Sequence, residues 1–291
     1  MRFEGIIAAM ITPFTKDDAI DEEGLKRNIE FLEKNGIDAI VPCGTTGESA
    51  TLSYEEHKKV IKIATDAAHV PVLAGAGSNS TWETIELSKY AENVGADGVL
   101  IVTPYYNKPN ETGLIKHFEA IVEKIDIPII MYNIPSRTGL NMSPSLIARL
   151  ADIDGIDGIK EASGNISQIS QIIELTADKD FYLLSGNDDQ TLPILSLGGK
   201  GVISVAANII PNKLKEMYDS FVKGDIAKAR EIHYNLSPLF RALFIETNPI
   251  PIKSACNMMG LAAGNLRLPL ANLSKEHEDI LRSTLKRYLK G

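Results

Sequence analysis

Eight short apolar runs, each bounded by turn residues, recur along the chain at 6–11, 39–41, 72–74, 98–102, 128–132, 158–160, 181–184 and 201–205. Each has the length of a strand. Most lack the polar alternation of a half-exposed sheet, and continuous apolar character is what strands covered on both faces require, which favours parallel pairing. Between the runs lie segments of helical period. Residues 23–34 follow Asp21 and are followed by Gly36, a cap and a stop glycine; residues 55–67 are opened by Ser53 with Glu56 three residues on, a capping box. Eight strand-then-helix units joined by right-handed crossovers close into a barrel with its helices outside. The competing arrangement is an open, doubly wound sheet. Against it, no GxGxxG follows the first strand, and Gly75-Ala76-Gly77 lacks the third glycine of a dinucleotide fingerprint. Beyond Gly224 further helical segments run to the end, with Pro238, Pro249 and Pro251 expected to break them. The pattern therefore predicts an α/β chain: a (β/α)8 TIM barrel over residues 1–224 and a C-terminal helical region over 225–291.

Composition agrees with a single large core, since barrels of this kind fill about 250 residues as one unit. With 30 Lys and Arg against 38 Asp and Glu the formal charge is −8, which argues against a nucleic acid or an anionic membrane as the main partner. Only Cys43 and Cys256 occur, neither in a CxxC pair, so both are expected to be small core residues rather than a disulfide or a thiol nucleophile. The first eleven residues are too short to span a bilayer and lack a cleavage site after them. A cytoplasmic protein, ordered throughout, is the expectation.

In such a barrel, chemistry is carried where strands end at their C-terminal rim. Lys160 ends the sixth run. A lysine buried there loses hydration, its pKa falls, and the neutral amine becomes available to attack a carbonyl; the plainer alternative is a lysine snorkelling from a strand end. The same rim receives Gly44-Thr45-Thr46-Gly47-Glu48, Thr103-Pro104-Tyr105-Tyr106 and Tyr132-Asn133-Ile134-Pro135-Ser136-Arg137. The glycine-flanked threonines offer backbone N–H groups and hydroxyls for a small carboxylate, Arg137 can fork onto a second one, and Tyr132 and Tyr106 can relay a proton. Each signal is weak alone; their convergence on Lys160 gives them weight. The five histidines are scattered, with no HxxxH or HExxH spacing, so no metal site is expected. Gly198-Gly199-Lys200-Gly201 reads as a turn, and Asp188 with Asp189 as the start of a helix.

These residues resemble the dihydrodipicolinate synthases, within the pyruvate-dependent class I aldolases related to N-acetylneuraminate lyase. The similarity runs nearly end to end. Its carriers are residues 44–51, 103–107, 132–139, 158–162 and 198–205, and the Asn248-Pro249-Ile250-Pro251-Ile252-Lys253 motif. The resemblance implies condensation of pyruvate with L-aspartate 4-semialdehyde to 4-hydroxy-tetrahydrodipicolinate, the first committed step toward diaminopimelate and lysine, with no external cofactor. It implies Lys160 as the Schiff-base residue, Tyr132 as proton relay, and Thr45 linking it to Tyr106, which reaches into a neighbouring subunit's site. Thr45 and Thr46 would hold the pyruvate carboxylate, Arg137 the semialdehyde carboxylate, and the carbonyls of Gly186 and Ile203 would line the pocket. The implied assembly is a homo-oligomer, a tetramer built as a dimer of dimers.

Asn187 stands where many members have an acidic residue. Many bacterial and plant members are inhibited by L-lysine in a cleft between paired subunits. The matching positions are Ser49, Ala50, Tyr54, His57, Asn79, Glu83 and Tyr105, with Tyr54 in place of a frequent histidine or tryptophan. Two other functions compete: a pyruvate aldolase acting on a sugar acid, and a non-catalytic barrel that binds a keto acid. The first would be marked by loss of Arg137 and the second by a broken lysine, tyrosine or threonine set; neither mark is present.

Overall fold

The apolar runs form eight parallel strands: β1 Gly5–Ala9, β2 Ala39–Val41, β3 Leu73–Gly75, β4 Gly98–Val102, β5 Ile129–Asn133, β6 Ile156–Glu161, β7 Tyr182–Ser185 and β8 Gly201–Ser204. This is a computed structural model, and it describes residues 2–288. The strands hydrogen-bond in the order β2-β1-β8-β7-β6-β5-β4-β3, and a bridge between Ile40 and Val72 closes the seam between the outer two. The result is the expected (β/α)8 barrel. Ile7, Ala9, Val41, Leu73, Leu100 and Ile130 fill its interior, while Ile6, Ala8, Ile40, Val99 and Ile101 point outward onto the helices. Both strand faces are dry, which is why the runs carry no polar alternation. Phe3 plugs the end where the strands begin, its N–H donating to the Tyr182 hydroxyl at 3.0 Å.

The helix signals act as read. The Asp21 carboxylate accepts from Gly24 N–H at 2.8 Å to start helix Glu22–Lys34. Ser53 and Glu56 form the reciprocal capping box of helix Tyr54–Ala67, a device whose loss costs about 1 kcal/mol.

The C-terminal region holds helices Ile226–Ala242, Ile250–Met258 and Lys275–Leu285. Its prolines do not act as expected. Pro238 lies inside the first helix without ending it, because Ile232, Leu236, Leu239 and Phe240 bury one continuous face and packing outweighs the lost backbone bond. Pro249 and Pro251 sit at the start of the second helix, where a missing N–H costs nothing. Helix Ile226–Ala242 packs on the eighth barrel helix, Pro211–Val222, and helix Lys275–Leu285 packs on the other two. Among the described residues no helix is long and apolar enough to cross a membrane.

Candidate active site

β5 and β6 pair so that Tyr132 lies directly across from Lys160, both on the interior face near the C-terminal rim. Lys160 is only 6 % exposed, and its Nζ sits 4.2 Å from the centre of the Tyr132 ring. Burial pulls the lysine pKa down to about 7; the Asp188 carboxylate works against that shift and the Arg137 guanidinium adds to it. Burial pushes the Tyr132 phenol up to about 12, with the Thr45 side chain against it and Arg137 nearby favouring the phenolate. A lysine near neutrality beside a phenol that stays protonated is a nucleophile paired with a proton donor. Gly186 forms the adjoining wall: a Cβ there would stand 2.6 Å from the Ala162 Cβ and 3.2 Å from the Lys160 Cε. Only glycine lets the loop after β7 come this close. Ile203 lies on the interior face of β8, in the same cluster.

Two buried carboxylates support this centre, and sequence reasoning gave neither a role there. On the outward face of the same strand pair, Asn133 lies across from Glu161 and donates to its Oε2 at 2.9 Å, while Ser163 N–H donates to Oε1 at 2.7 Å. This bond ties β5 to β6 behind the reacting pair. Asp188 begins a short helical turn, as expected, but its carboxylate is buried. It accepts from the Ser204 hydroxyl and from the N–H groups of Val205 and Ala206 at 3.2 and 3.0 Å. Burial raises its pKa, the three donors oppose that rise, and the carboxylate in turn favours the charged form of Lys160.

The threonine turn lies between two residues forced into left-handed backbone, Cys43 (φ 56°) and Glu48 (φ 55°). Such conformations cost of order 1–3 kcal/mol each in non-glycine residues and persist where surroundings fix them. At Glu48 the fixing group is Lys253, whose Nζ lies 2.6 Å from the Glu48 Oε1, both side chains out of contact with solvent. Thr46 is buried and accepts from the Asn248 side-chain amide at 3.1 Å. The Arg137 guanidinium donates to the Asn248 main-chain carbonyl at 2.7 Å, leaving the arginine at the exposed mouth. Tyr106 does not join the group: it is 91 % exposed, with φ 71°.

The second set of sequence candidates gathers beside the β2 and β3 ends. Ser49 and Ala50 lie in the turn Ser49–Thr51, and Tyr54 opens the next helix. His57 is buried and donates from Nε2 to the Gly75 carbonyl at 2.6 Å, and burial lowers its pKa, so it is neutral. Glu83, in the first turn of helix Thr81–Asn93, accepts from the Ser78 hydroxyl. The Asn79 amide donates to the Tyr105 carbonyl at 3.2 Å. Among the described residues no three His, Cys, Asp or Glu side chains are grouped to hold a metal ion.

Residues 2–288 match the model of the dihydrodipicolinate synthetase family. A 4-hydroxy-tetrahydrodipicolinate synthase of Archaeoglobus fulgidus is 58 % identical over 284 residues, covering 98 % of each chain. The crystal structure of the dihydrodipicolinate synthase of Aquifex aeolicus superposes with a TM-score of 0.96 at 49 % identity, covering 99 % of this chain and 98 % of that one. That of Cyanidioschyzon merolae, solved with lysine bound, has a TM-score of 0.94 at 42 % identity and covers 98 % and 97 %.

Proposed function

The chain belongs to the dihydrodipicolinate synthetase family, and from that premise we propose how its residues condense pyruvate with L-aspartate 4-semialdehyde to give 4-hydroxy-tetrahydrodipicolinate on the route to diaminopimelate and lysine. The observation that carries the reading is the neutral-leaning amine of Lys160 held against a protonated Tyr132. The amine attacks the pyruvate keto carbon, water leaves, and a Schiff base forms. Loss of a methyl proton gives an enamine, whose carbon adds to the aldehyde while a proton passes to the new alkoxide. The semialdehyde's own amine then attacks the imine carbon and releases Lys160 as the ring closes. Tyr132 carries the protons, positioned by Thr45, with Tyr106 of a neighbouring copy completing the relay.

In this reading Thr45 and Thr46 hold the pyruvate carboxylate, Gly186 and Ile203 line the pocket, and Arg137 at the mouth receives the second substrate's carboxylate. No external cofactor enters. The working unit in this reading is a homo-oligomer, a tetramer of paired dimers acting in the cytoplasm, as in the family it resembles. The exposure of Tyr106 is compatible with its serving a neighbouring copy. Ser49, Ala50, Tyr54, His57, Asn79, Glu83 and Tyr105 form a site for L-lysine, the end product. Incubation with pyruvate and borohydride, followed by peptide mass mapping, should place the reduced adduct on Lys160, and consumption of both substrates in a parallel assay should yield the condensed product. An adduct on another lysine, or turnover of a sugar acid in preference to the semialdehyde, would overturn the reading.

A further inference from the structure

Asn248 enters the site from outside the barrel's strand-end loops, on the segment leading into helix Ile250–Met258. It is buried, and it touches both carboxylate holders by different groups. Its main-chain carbonyl accepts from Arg137 at 2.7 Å, and its side-chain amide donates to the Thr46 Oγ1 at 3.1 Å. The segment is fastened to the same turn a second time: Lys253, five residues on, pairs with Glu48, two residues beyond Thr46, and also donates to the Asn265 carbonyl at 2.8 Å. We propose that Asn248 is a positioning residue that fixes the hydroxyl of Thr46 as a donor to pyruvate and sets that hydroxyl at a fixed place relative to Arg137.

The chemistry lies in the direction of one hydrogen bond. A threonine hydroxyl has one proton and two lone pairs. The amide of Asn248 occupies a lone pair, and among the described residues the Thr46 hydroxyl has no acceptor for its own proton. That proton is free to point into the pocket, where an anionic carboxylate is the group that accepts it. An acceptor in place of the amide would take the proton and leave lone pairs facing the substrate's negative charge. Among the described residues the Oδ1 of Asn248 is buried and without a hydrogen-bond partner, so the one bond this side chain makes is the one to Thr46. The division between main chain and side chain also separates the substrates: changing the side chain alters the pyruvate holder and leaves the carbonyl that steadies Arg137.

The inference rests on the reading that Thr46 binds pyruvate, and a double-mutant cycle on the full-length enzyme separates the two. Asn248→Ala should raise the KM for pyruvate about tenfold, the usual effect of losing one such hydrogen bond, while the KM for the semialdehyde moves by less than about twofold. Thr46→Val should raise the pyruvate KM as well, and adding Asn248→Ala to it should raise it no further. Asn248→Asp, which keeps the size and offers an acceptor and a charge, should raise it more than the alanine does. Additive effects in the double variant, equal rises for both substrates, or an aspartate variant with unchanged pyruvate KM would overturn the inference; the last remains decisive if the alanine variant fails to fold. If Thr46→Val alone leaves the pyruvate KM unchanged, the carboxylate reading of Thr46 fails first and takes this inference with it.

Discussion

The desolvated amine of Lys160 links activity to stability through one equilibrium. Its pKa falls from an ordinary 10.5 to about 7 because the barrel mouth replaces water around the ammonium. Attack on pyruvate needs the neutral amine, so the rate of borohydride-trapped adduct formation should rise through pH 7 and level off above it. A flat profile across that range would contradict the assignment. The sign for stability follows from the same two values. Between pH 7 and 10.5 the unfolded chain binds a proton that the native one does not, so stability rises with pH across that window. The destabilising contribution of Lys160 is complete below about 7 and gone near 10.5. Lys160→Met should therefore raise the melting temperature most in the acid arm, with the gain shrinking toward pH 10.5, while abolishing the adduct. A gain independent of pH would show that the lysine is not desolvated. The cost is local and functional: a group that would be more stable in water is held where its lone pair is useful.

At the scale of elements, the junction of the threonine turn with helix Ile250–Met258 is held by a buried ion pair. Removing one partner strands the other charge, which typically costs about 3–5 kcal/mol, whereas neutralising both costs much less. Lys253→Met should thus lower the urea midpoint sharply, and adding Glu48→Gln should recover most of the loss; equal stability of the single and double variants would contradict an uncompensated charge. This junction also marks where sequence reading stops. The strands were legible because burial on both faces leaves runs such as 98–102 with no alternation, and β4 follows that run residue for residue. The rim residues were legible because strand ends fix where side chains converge, and the β5–β6 register brings Tyr132 to Lys160. Helix starts were legible wherever a side chain caps its own neighbours, as at Ser53. Glu48 and Lys253 are 205 positions apart, and no local period relates them. Asp188 looked like a helix-start acid because spacing does not say whether a loop carboxylate turns outward or toward β8. Pro238 was misjudged for a related reason: the breaking rule is local, while the apolar face that holds the helix together is tertiary.

At the scale of the whole molecule, the aromatic residues of the β4 loop have no core to enter. Tyr106 is 91 % exposed, and so is much of Trp82 in the first turn of helix Thr81–Asn93, at 68 %, exposures that fit covering by a second copy of the chain. If Tyr106 serves a neighbour's proton relay, Tyr106→Phe should cut kcat well below the native value while leaving the pyruvate dependence of adduct formation nearly unchanged. A matched rise in KM with no loss of kcat would place it in binding instead. The same loop connects to the proposed lysine site. The amide of Asn79 holds the Tyr105 carbonyl, and Tyr105 adjoins Tyr106, so ordering of the site by a ligand has a short contiguous route to the relay. The site gathers the acidic side chains Glu83 and Glu86, with Lys58 as the cation beside them. His57 is neutral, and Glu83 supplies a carboxylate near the Tyr54 phenol, whose pKa is raised by burial and then by Glu86 and Glu83. An amino acid with two ammonium groups suits that balance. The ring of Tyr54 already carries the Lys58 ammonium at 4.4 Å from its centre, which shows that its face accepts a cation where a histidine would offer a hydrogen bond. Millimolar L-lysine should therefore lower turnover in steady-state assays, and Glu83→Ala should abolish the inhibition while leaving uninhibited turnover within a few-fold of native. Because coupling between the sites is reciprocal, calorimetric lysine binding should also change when pyruvate is bound. Turnover unaffected by lysine would remove the regulatory site and leave the condensation chemistry standing, since none of these groups touches Lys160 or Tyr132.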